Sequence, residues 1–303
     1  MTSGWAGPVW GEPSPAMGAP VPVRARAGAP VANYRADGGQ SADFVVLAAS
    51  VAGTAHRLGG GRCEDSYAWV KPGPGRLGLV VADGVSTAGR GGEGADLAVE
   101  AAARFLSDCE AWGQAECRGA ARRASDQLIS AAGASTAVSV AELSTTLVVA
   151  LLTVRAEGAD AVLGRVGDST AFNLDGGAWQ EVFLAPESDD LHHMVTDVLP
   201  LPGPGESGAR EGGPREGGPV EVETATVVLP PGAALVLVTD GIANPLRDGP
   251  TTVAPALADV LAGGPAGKLS PLALAVAVDF SRRGCQDDRT IVVAWPRPGG
   301  KSN

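Results

Sequence analysis

Aromatic side chains are scarce in this 303-residue sequence, at 4% of the total, so its interior has to be assembled from Val, Leu and Ala. Basic charge is in deficit as well: 23 Lys and Arg face 34 Asp and Glu, a formal net charge of −11. A surface that grips nucleic acid needs the opposite sign, because phosphate contacts come from Lys and Arg, so no nucleic-acid partner is expected. Long apolar runs are missing too. The best of them, LVVALL and LALAVAV, fall far short of the roughly 18 to 20 residues of a membrane span. The opening MTSGWAGPVWGEPSP has neither a basic start nor an apolar stretch, and Thr2 stands where N-myristoylation needs glycine. A cytoplasmic, monomeric chain without membrane contact is expected. Cys63, Cys109, Cys117 and Cys285 form no CxxC pair and read as reduced thiols, not as a disulfide frame or zinc site.

What is abundant is 43 Gly and 23 Pro. They concentrate in residues 1–42, expected as a disordered Pro/Gly/Ala-rich tail, and in residues 200–219, where REGGP repeats in tandem. The second stretch lies between strand-like runs and reads as a flexible insertion in one domain spanning residues 43–297, with residues 298–303 a short tail. Strand-like runs are DFVVLAASV (Asp43–Val51), LGLVVA (Leu77–Ala82), TTLVVALLTV (Thr145–Val154), DAVLGRV (Asp160–Val166), TATVVL (Thr224–Leu229), ALVLVT (Ala234–Thr239) and TIVVAW (Thr290–Trp295). Helical spacing marks Glu93–Leu106, with Leu97, Ala98, Ala101, Ala102 and Phe105 on one face, then Gln114–Ala132 and Leu272–Phe280. Strands outnumber helices and come in near-adjacent pairs, which predicts antiparallel sheets with helices outside.

The aspartates sit at strand ends. LGLVVADG stops at Asp83-Gly84 and ALVLVTDG at Asp240-Gly241; Asp168 follows a strand, while Asp65, Asp287 and Asp288 precede one. Carboxylates fixed on neighbouring strands can converge, and such clusters hold hard cations such as Mg²⁺ and Mn²⁺. The residues alone leave a second reading open. Asp-Gly is also the favoured two-residue hairpin turn, and Asp168 before Ser169 fits a bend or cap. GRGGEG (Gly89–Gly94) formally matches GxGxxG, but Asp83 to Ala88 separate it from the strand, so a glycine-rich loop capping a helix through Glu93 is the better reading.

The ordered set GRCEDS, VVADGVS, STTL, GRVGDSTAF, LVTDGI and DDRTIVV resembles the metal-dependent serine/threonine protein phosphatases of the 2C-like (PPM) family, in its bacterial branch. The likeness runs from Asp43 to Trp295. It implies an α+β fold, a four-layer α-β-β-α sandwich of two antiparallel sheets flanked by helices. It further implies hydrolysis of phosphoserine and phosphothreonine in proteins by a water activated between two Mn²⁺ or Mg²⁺ ions, within kinase signalling. Carried over, Asp65 would ligate through water, Asp83 would bridge the metals and the Gly84 carbonyl would bind one of them. Asp240 and Asp287 would bind the other, and Asp168 would serve a third, looser site.

Several positions depart from the family pattern. Cys63 replaces Asn, Ser144 replaces Gly, Asn244 stands where some relatives carry a third-site Asp, and Val85 where some carry a His. The family's phosphate-holding Arg falls on Gly60, with Arg57 and Arg62 as nearby substitutes, of which Arg62 is the candidate phosphate contact. HRLGGGRCEDS resembles a branch with a His in this stretch, which makes His56 a catalytic candidate. The competing functional readings are a catalytically inactive regulatory module of the same fold and a phosphatase of a small phosphorylated molecule.

Overall fold

The computed structural model describes residues 34–135, 137–183, 197–201, 209–210, 213–214, 221–248, 253–264, 266, 268–280 and 285–297. The strands are β1 (Tyr34–Gln40), β2 (Phe44–Val51), β3 (Asp65–Val70), β4 (Arg76–Asp83), β5 (Leu147–Val154), β6 (Ala159–Val166), β7 (Thr170–Asp175), β8 (Ala178–Glu181), β9 (Ala209–Arg210), β10 (Gly213–Pro214), β11 (Glu223–Leu229), β12 (Ala234–Val238) and β13 (Arg289–Pro296). The helices are α1 (Thr54–Gly59), α2 (Gly91–Asp108), α3 (Gln114–Gly133), α4 (Asp240–Arg247), α5 (Val253–Leu261) and α6 (Pro271–Val278). One large sheet runs β1-β2-β13-β12-β7-β8 and a second β11-β6-β5-β4-β3, while β9 and β10 pair as a separate two-stranded ribbon, with antiparallel pairing throughout. The expected α+β sandwich is therefore what forms.

Its four layers follow from the period-two alternation of the strands, which sends successive side chains to opposite faces. In β4, Val80 and Ala82 face α2 and α3, while Leu77, Leu79 and Val81 face the opposing sheet. In β13, Ile291, Val293 and Trp295 face α4 to α6, while Val292 and Ala294 point between the sheets. Both faces of each central strand are buried, so these strands read as unbroken Val/Leu/Ala runs. The helical face next to the five-stranded sheet is largely alanine, with Ala95, Ala98, Ala102, Ala120, Ala121 and Ala124 all fully covered or nearly so. Small side chains let α2 and α3 lie close to the strands, which suits a core with few aromatics.

Three sequence expectations change. Tyr34–Gln40, placed in the tail, is a strand that pairs with β2 across all seven residues, from Tyr34 opposite Val51 to Gln40 opposite Val45. YRADGGQ carries no apolar alternation; at a sheet edge the backbone ladder holds it, with Tyr34 on Asp279 and Arg35 on Asp96 adding side-chain contacts. The buried stripe of α2 is turned from the expected one: Ala95, Ala98, Val99, Ala102, Ala103 and Leu106 face inward, with Leu97 and Phe105 packed at its margin. Glu93 does not cap that helix; its carboxylate takes both Nε and Nη2 of Arg90, at 2.9 and 2.5 Å. Residues 1–33 and 298–303, and most of 200–219, lie outside the described residues. Among those described, no helix is long and apolar enough to cross a membrane.

Candidate active site

The aspartates singled out above meet at one end of the sandwich, and both sheets contribute. Asp65 opens β3 and Asp83 closes β4, and the two are direct partners in that antiparallel register. Asp168 lies between β6 and β7, which belong to different sheets, Asp240 is the first residue of α4, and Asp287 immediately precedes β13 with Asp288. Neither Asp-Gly step is a hairpin turn. Gly84 bridges to Thr145, and Gly241 lies in the first turn of α4. Neither glycine has positive φ; each permits a close approach instead. A Cβ on Gly84 would stand 2.2 Å from the Gly91 carbonyl carbon, and one on Gly241 would stand 1.9 Å from the Asp288 carbonyl oxygen.

Hydroxyl groups hold the carboxylates in place. Thr239 Oγ1 donates to Asp65 Oδ2 at 2.8 Å and accepts the Thr290 N–H at 3.0 Å. Thr146 Oγ1 accepts the Asp83 N–H at 3.0 Å and lies 2.8 Å from Ser169 Oγ, beside Asp168. Thr145 Oγ1 and Thr146 N–H both donate to the Asp83 carbonyl, at 2.7 and 2.8 Å. These are the STTL and GDST motifs at work. The threonines carry no charge and no metal-ligand pattern, so the residue-type reasoning above passed over them. Ser66, Ser169 and Thr239 adjoin Asp65, Asp168 and Asp240, but the hydroxyls that hold Asp65 and Asp83 come from Thr239, Thr145 and Thr146, far away in sequence, where no local signal marks them.

Asp288 belongs to this framework rather than to the cluster of facing carboxylates. It is buried, and its Oδ1 accepts the Gly53 N–H at 2.6 Å and meets His56 Nδ1 at 2.9 Å. Its Oδ2 accepts the Glu64 N–H at 2.5 Å. One carboxylate thus ties together α1, the start of β3 and the loop before β13.

The electrostatics are those of like charges forced together. Burial, and then the charges of Asp65, Asp240, Asp287 and Asp168, push the Asp83 carboxyl well above its ordinary range. Burial likewise raises Asp65, with Asp288 adding to it and the Thr239 and Thr290 bonds opposing. Asp240 is pushed up to about 7 by burial and by the charges of Asp287 and Asp168. Asp287 rises chiefly through burial. Asp65 Oδ1 and Asp240 Oδ1 are sealed from solvent and make no hydrogen bond. Such buried orphan acceptors cost free energy unless something positive meets them. Among the described residues no three acidic, His or Cys side chains are drawn closely enough together to enclose an ion as they stand. The oxygen-only donor set and the orphan atoms nonetheless fit a hard divalent cation.

A cleft of about 450 Å³ opens at this end, lined among others by His56, Ser86, Asp240, Asn244, Cys285 and Asp287. Arg62 is not part of that lining. Its Nη1 reaches Asp96 Oδ2 at 3.8 Å and its side chain keeps 39% exposure. Arg57 is engaged elsewhere, with Nη2 on Asp279 Oδ1 at 2.7 Å. Gly60, where the family's Arg would fall, has φ of 71°, a left-handed conformation that disfavours any larger residue.

The sequence profile of Protein phosphatase 2C matches residues 52–265, most of the chain. The chain belongs to that family. Solved structures similar to this phosphatase include PppA, a regulatory component of T6SS in Pseudomonas aeruginosa, at 23% identity and TM-score 0.54, covering 88% of this chain and 99% of that one. Another is the catalytic domain of the serine/threonine phosphatase PstP in complex with two manganese ions, at 18% identity and TM-score 0.53, covering 84% and 98%. RsbX in complex with magnesium is 12% identical with TM-score 0.52, covering 87% and 100%. At these identities the structures establish a shared fold. No curated protein sequence matches the phosphatase.

Proposed function

We propose that this phosphatase hydrolyses phosphoserine and phosphothreonine in proteins with Mn²⁺ or Mg²⁺, the ions held in two of the three solved structures named above. The observation that carries this reading is the convergence of carboxylates from both sheets around two orphan oxygens, Asp65 Oδ1 and Asp240 Oδ1, in a chain of this family. Asp65, Asp83, Asp240 and Asp287 would hold two ions, with the Gly84 carbonyl on one of them and Asp168 at a third site. Bound there, the ions supply Lewis acidity that lowers the pKa of a water and offsets charge on the phosphoryl oxygens. The chain's own part is positioning: Thr239 fixes Asp65, while Thr145 and Thr146 fix the backbone of Asp83. Arg62, the phosphate-contact candidate carried over from the resemblance, would have to leave Asp96 to reach the substrate. No cysteine nucleophile is required, and the Cys63 thiol is unsuited to that task. Burial, then Asp65 and Asp288, push it well above its ordinary range, and it lies against Ser50 Oγ at 3.0 Å. We place residues 34–297 in one catalytic domain acting in the cytoplasm of a bacterium, opposite a serine/threonine kinase or its targets.

The test is release of phosphate from a phosphothreonine peptide with Mn²⁺, with and without chelator. Activity should disappear with chelator and fall at least ~100-fold in Asp83→Asn and Asp240→Asn. Absence of metal-dependent turnover on any phosphate ester would leave the regulatory-module reading. Turnover of small esters but not of the peptide would shift the substrate to a small molecule.

A further inference from the structure

The hydrolysis just proposed needs a proton for the departing serine or threonine oxygen, since an alkoxide is a poor leaving group. Val85 stands where some relatives carry a histidine, so that position supplies none. His56, on a different element, lines the same cleft as Asp240 and Asp287. Its Nδ1 lies 2.9 Å from Asp288 Oδ1, a carboxylate itself anchored by the Gly53 and Glu64 N–H groups. An imidazole whose Nδ1–H is held by a buried carboxylate has its ring orientation fixed; its Nε2 faces Glu64 Oε2 at 3.7 Å, beyond hydrogen-bond distance, so its proton can be given to a substrate oxygen.

We propose that His56 is the general acid of this phosphatase, its Nε2–H protonating the leaving oxygen while Asp288 holds the ring. This rests on the phosphatase reading of the site. In the step, the bond between phosphorus and the substrate oxygen breaks, its electron pair stays on that oxygen, and the oxygen takes the Nε2 proton. The oxygen of a water forms the new bond to phosphorus, and that water gives one proton to solvent. His56 regains a proton from solvent, so atoms and charge balance.

The ring sits among carboxylates. Acidic groups face it from two elements: Asp288 and Asp287 from the loop before β13, and Glu64 Oε2, 3.7 Å from Nε2, from the residue before β3. Burial opposes the cation, but these three carboxylates outweigh it and raise the imidazole above its usual value. The neighbouring cation on its own helix, Arg57, is turned onto Asp279.

The experiment compares wild type, His56→Gln and Asp288→Asn with Mn²⁺ on p-nitrophenyl phosphate, phenyl phosphate and a phosphothreonine peptide. Nitrophenolate leaves without a proton, phenolate needs some help and the threonine alkoxide needs most. Loss of the general acid should cost the peptide about 100-fold more than the nitrophenyl ester, with phenyl phosphate between them. The ratio between esters in one sample is independent of the folded fraction. Asp288→Asn keeps the imidazole and should show the same ordering at smaller amplitude. Parallel losses on all three esters, or none, would overturn the role of His56 while leaving the phosphatase reading intact. A wild type that turns over none of them would overturn both.

Discussion

The two sheets hold their share of the site in different ways. On the five-stranded side, Asp65 and Asp83 are ladder partners at the ends of β3 and β4, and their backbones belong to a hydrogen-bonded sheet. On the six-stranded side, Asp240 starts a helix and Asp287 lies in a loop, so neither is inside a ladder. That loop is held by Asp288 and by two glycines. Besides the Gly241 contact, a Cβ on Gly53 would stand 2.2 Å from the Gln286 carbonyl oxygen. Gly84 makes a similar backbone approach on the five-stranded side, but there the β3–β4 ladder backs it; the six-stranded side's Asp240 and Asp287 have glycine packing without a ladder. The second device is the more fragile, because it depends on single atoms.

The largest expected effect is therefore Gly241→Ala. Its methyl would lie 1.9 Å from the Asp288 carbonyl oxygen, a backbone atom that cannot swing away. Overpacking of this kind costs about 3 kcal/mol, and displacement of Asp240 and Asp288 together should remove activity as well. Chemical denaturation with parallel assays checks this; a variant as stable as wild type would show that the loop yields easily. The five-stranded side is probed by Thr146→Val, which keeps the shape of a buried side chain but removes the acceptor of the Asp83 N–H. Leaving that donor unpaired should cost about 1–3 kcal/mol, with kcat falling more than KM as Asp83 loosens. If Thr146→Val cost more than Gly241→Ala, the ranking of the two sides would be reversed.

The same contrast governs what could be read from the residues. Strands of the two central layers are legible because burial on both faces demands apolar runs, as in LGLVVA and TIVVAW. β1 was hidden because an edge strand needs only its backbone to pair, and YRADGGQ has no apolar pattern. The aspartates were visible as acids at strand ends, yet DG predicts a turn as readily as a site. Only their spatial convergence, with Thr239, Thr145, Thr146 and Asp288 around them, separates the two. α4 escaped notice because Gly241 and Pro245 lie within it, residues that argue against a helix from propensity alone. α1 has only six residues, too few for periodicity to register.

The smallest handle is also on the six-stranded side, behind α1. Arg57 grips Asp279 through Nη2–Oδ1 at 2.7 Å and Nη1–Oδ2 at 3.2 Å, and Tyr34 hydroxyl donates to the same carboxylate. The cluster joins β1, the helix carrying His56 and the C-terminal end of α6. Burial works against the Asp279 anion, but the bonds from Arg57 and Tyr34 prevail and hold its carboxyl below the usual value. A depressed folded value means stability that is present above the unfolded carboxylate range, near ~3.9, and lost as pH falls through the lower folded value. Because the pair is partly solvated, its worth is at most about 1 kcal/mol. Asp279→Asn should thus melt slightly below wild type at pH 6 and coincide with it near pH 2.5. A gap that persists in acid would assign the effect to packing around α1 instead of charge, and would place the six-stranded side's fragility in its contacts alone.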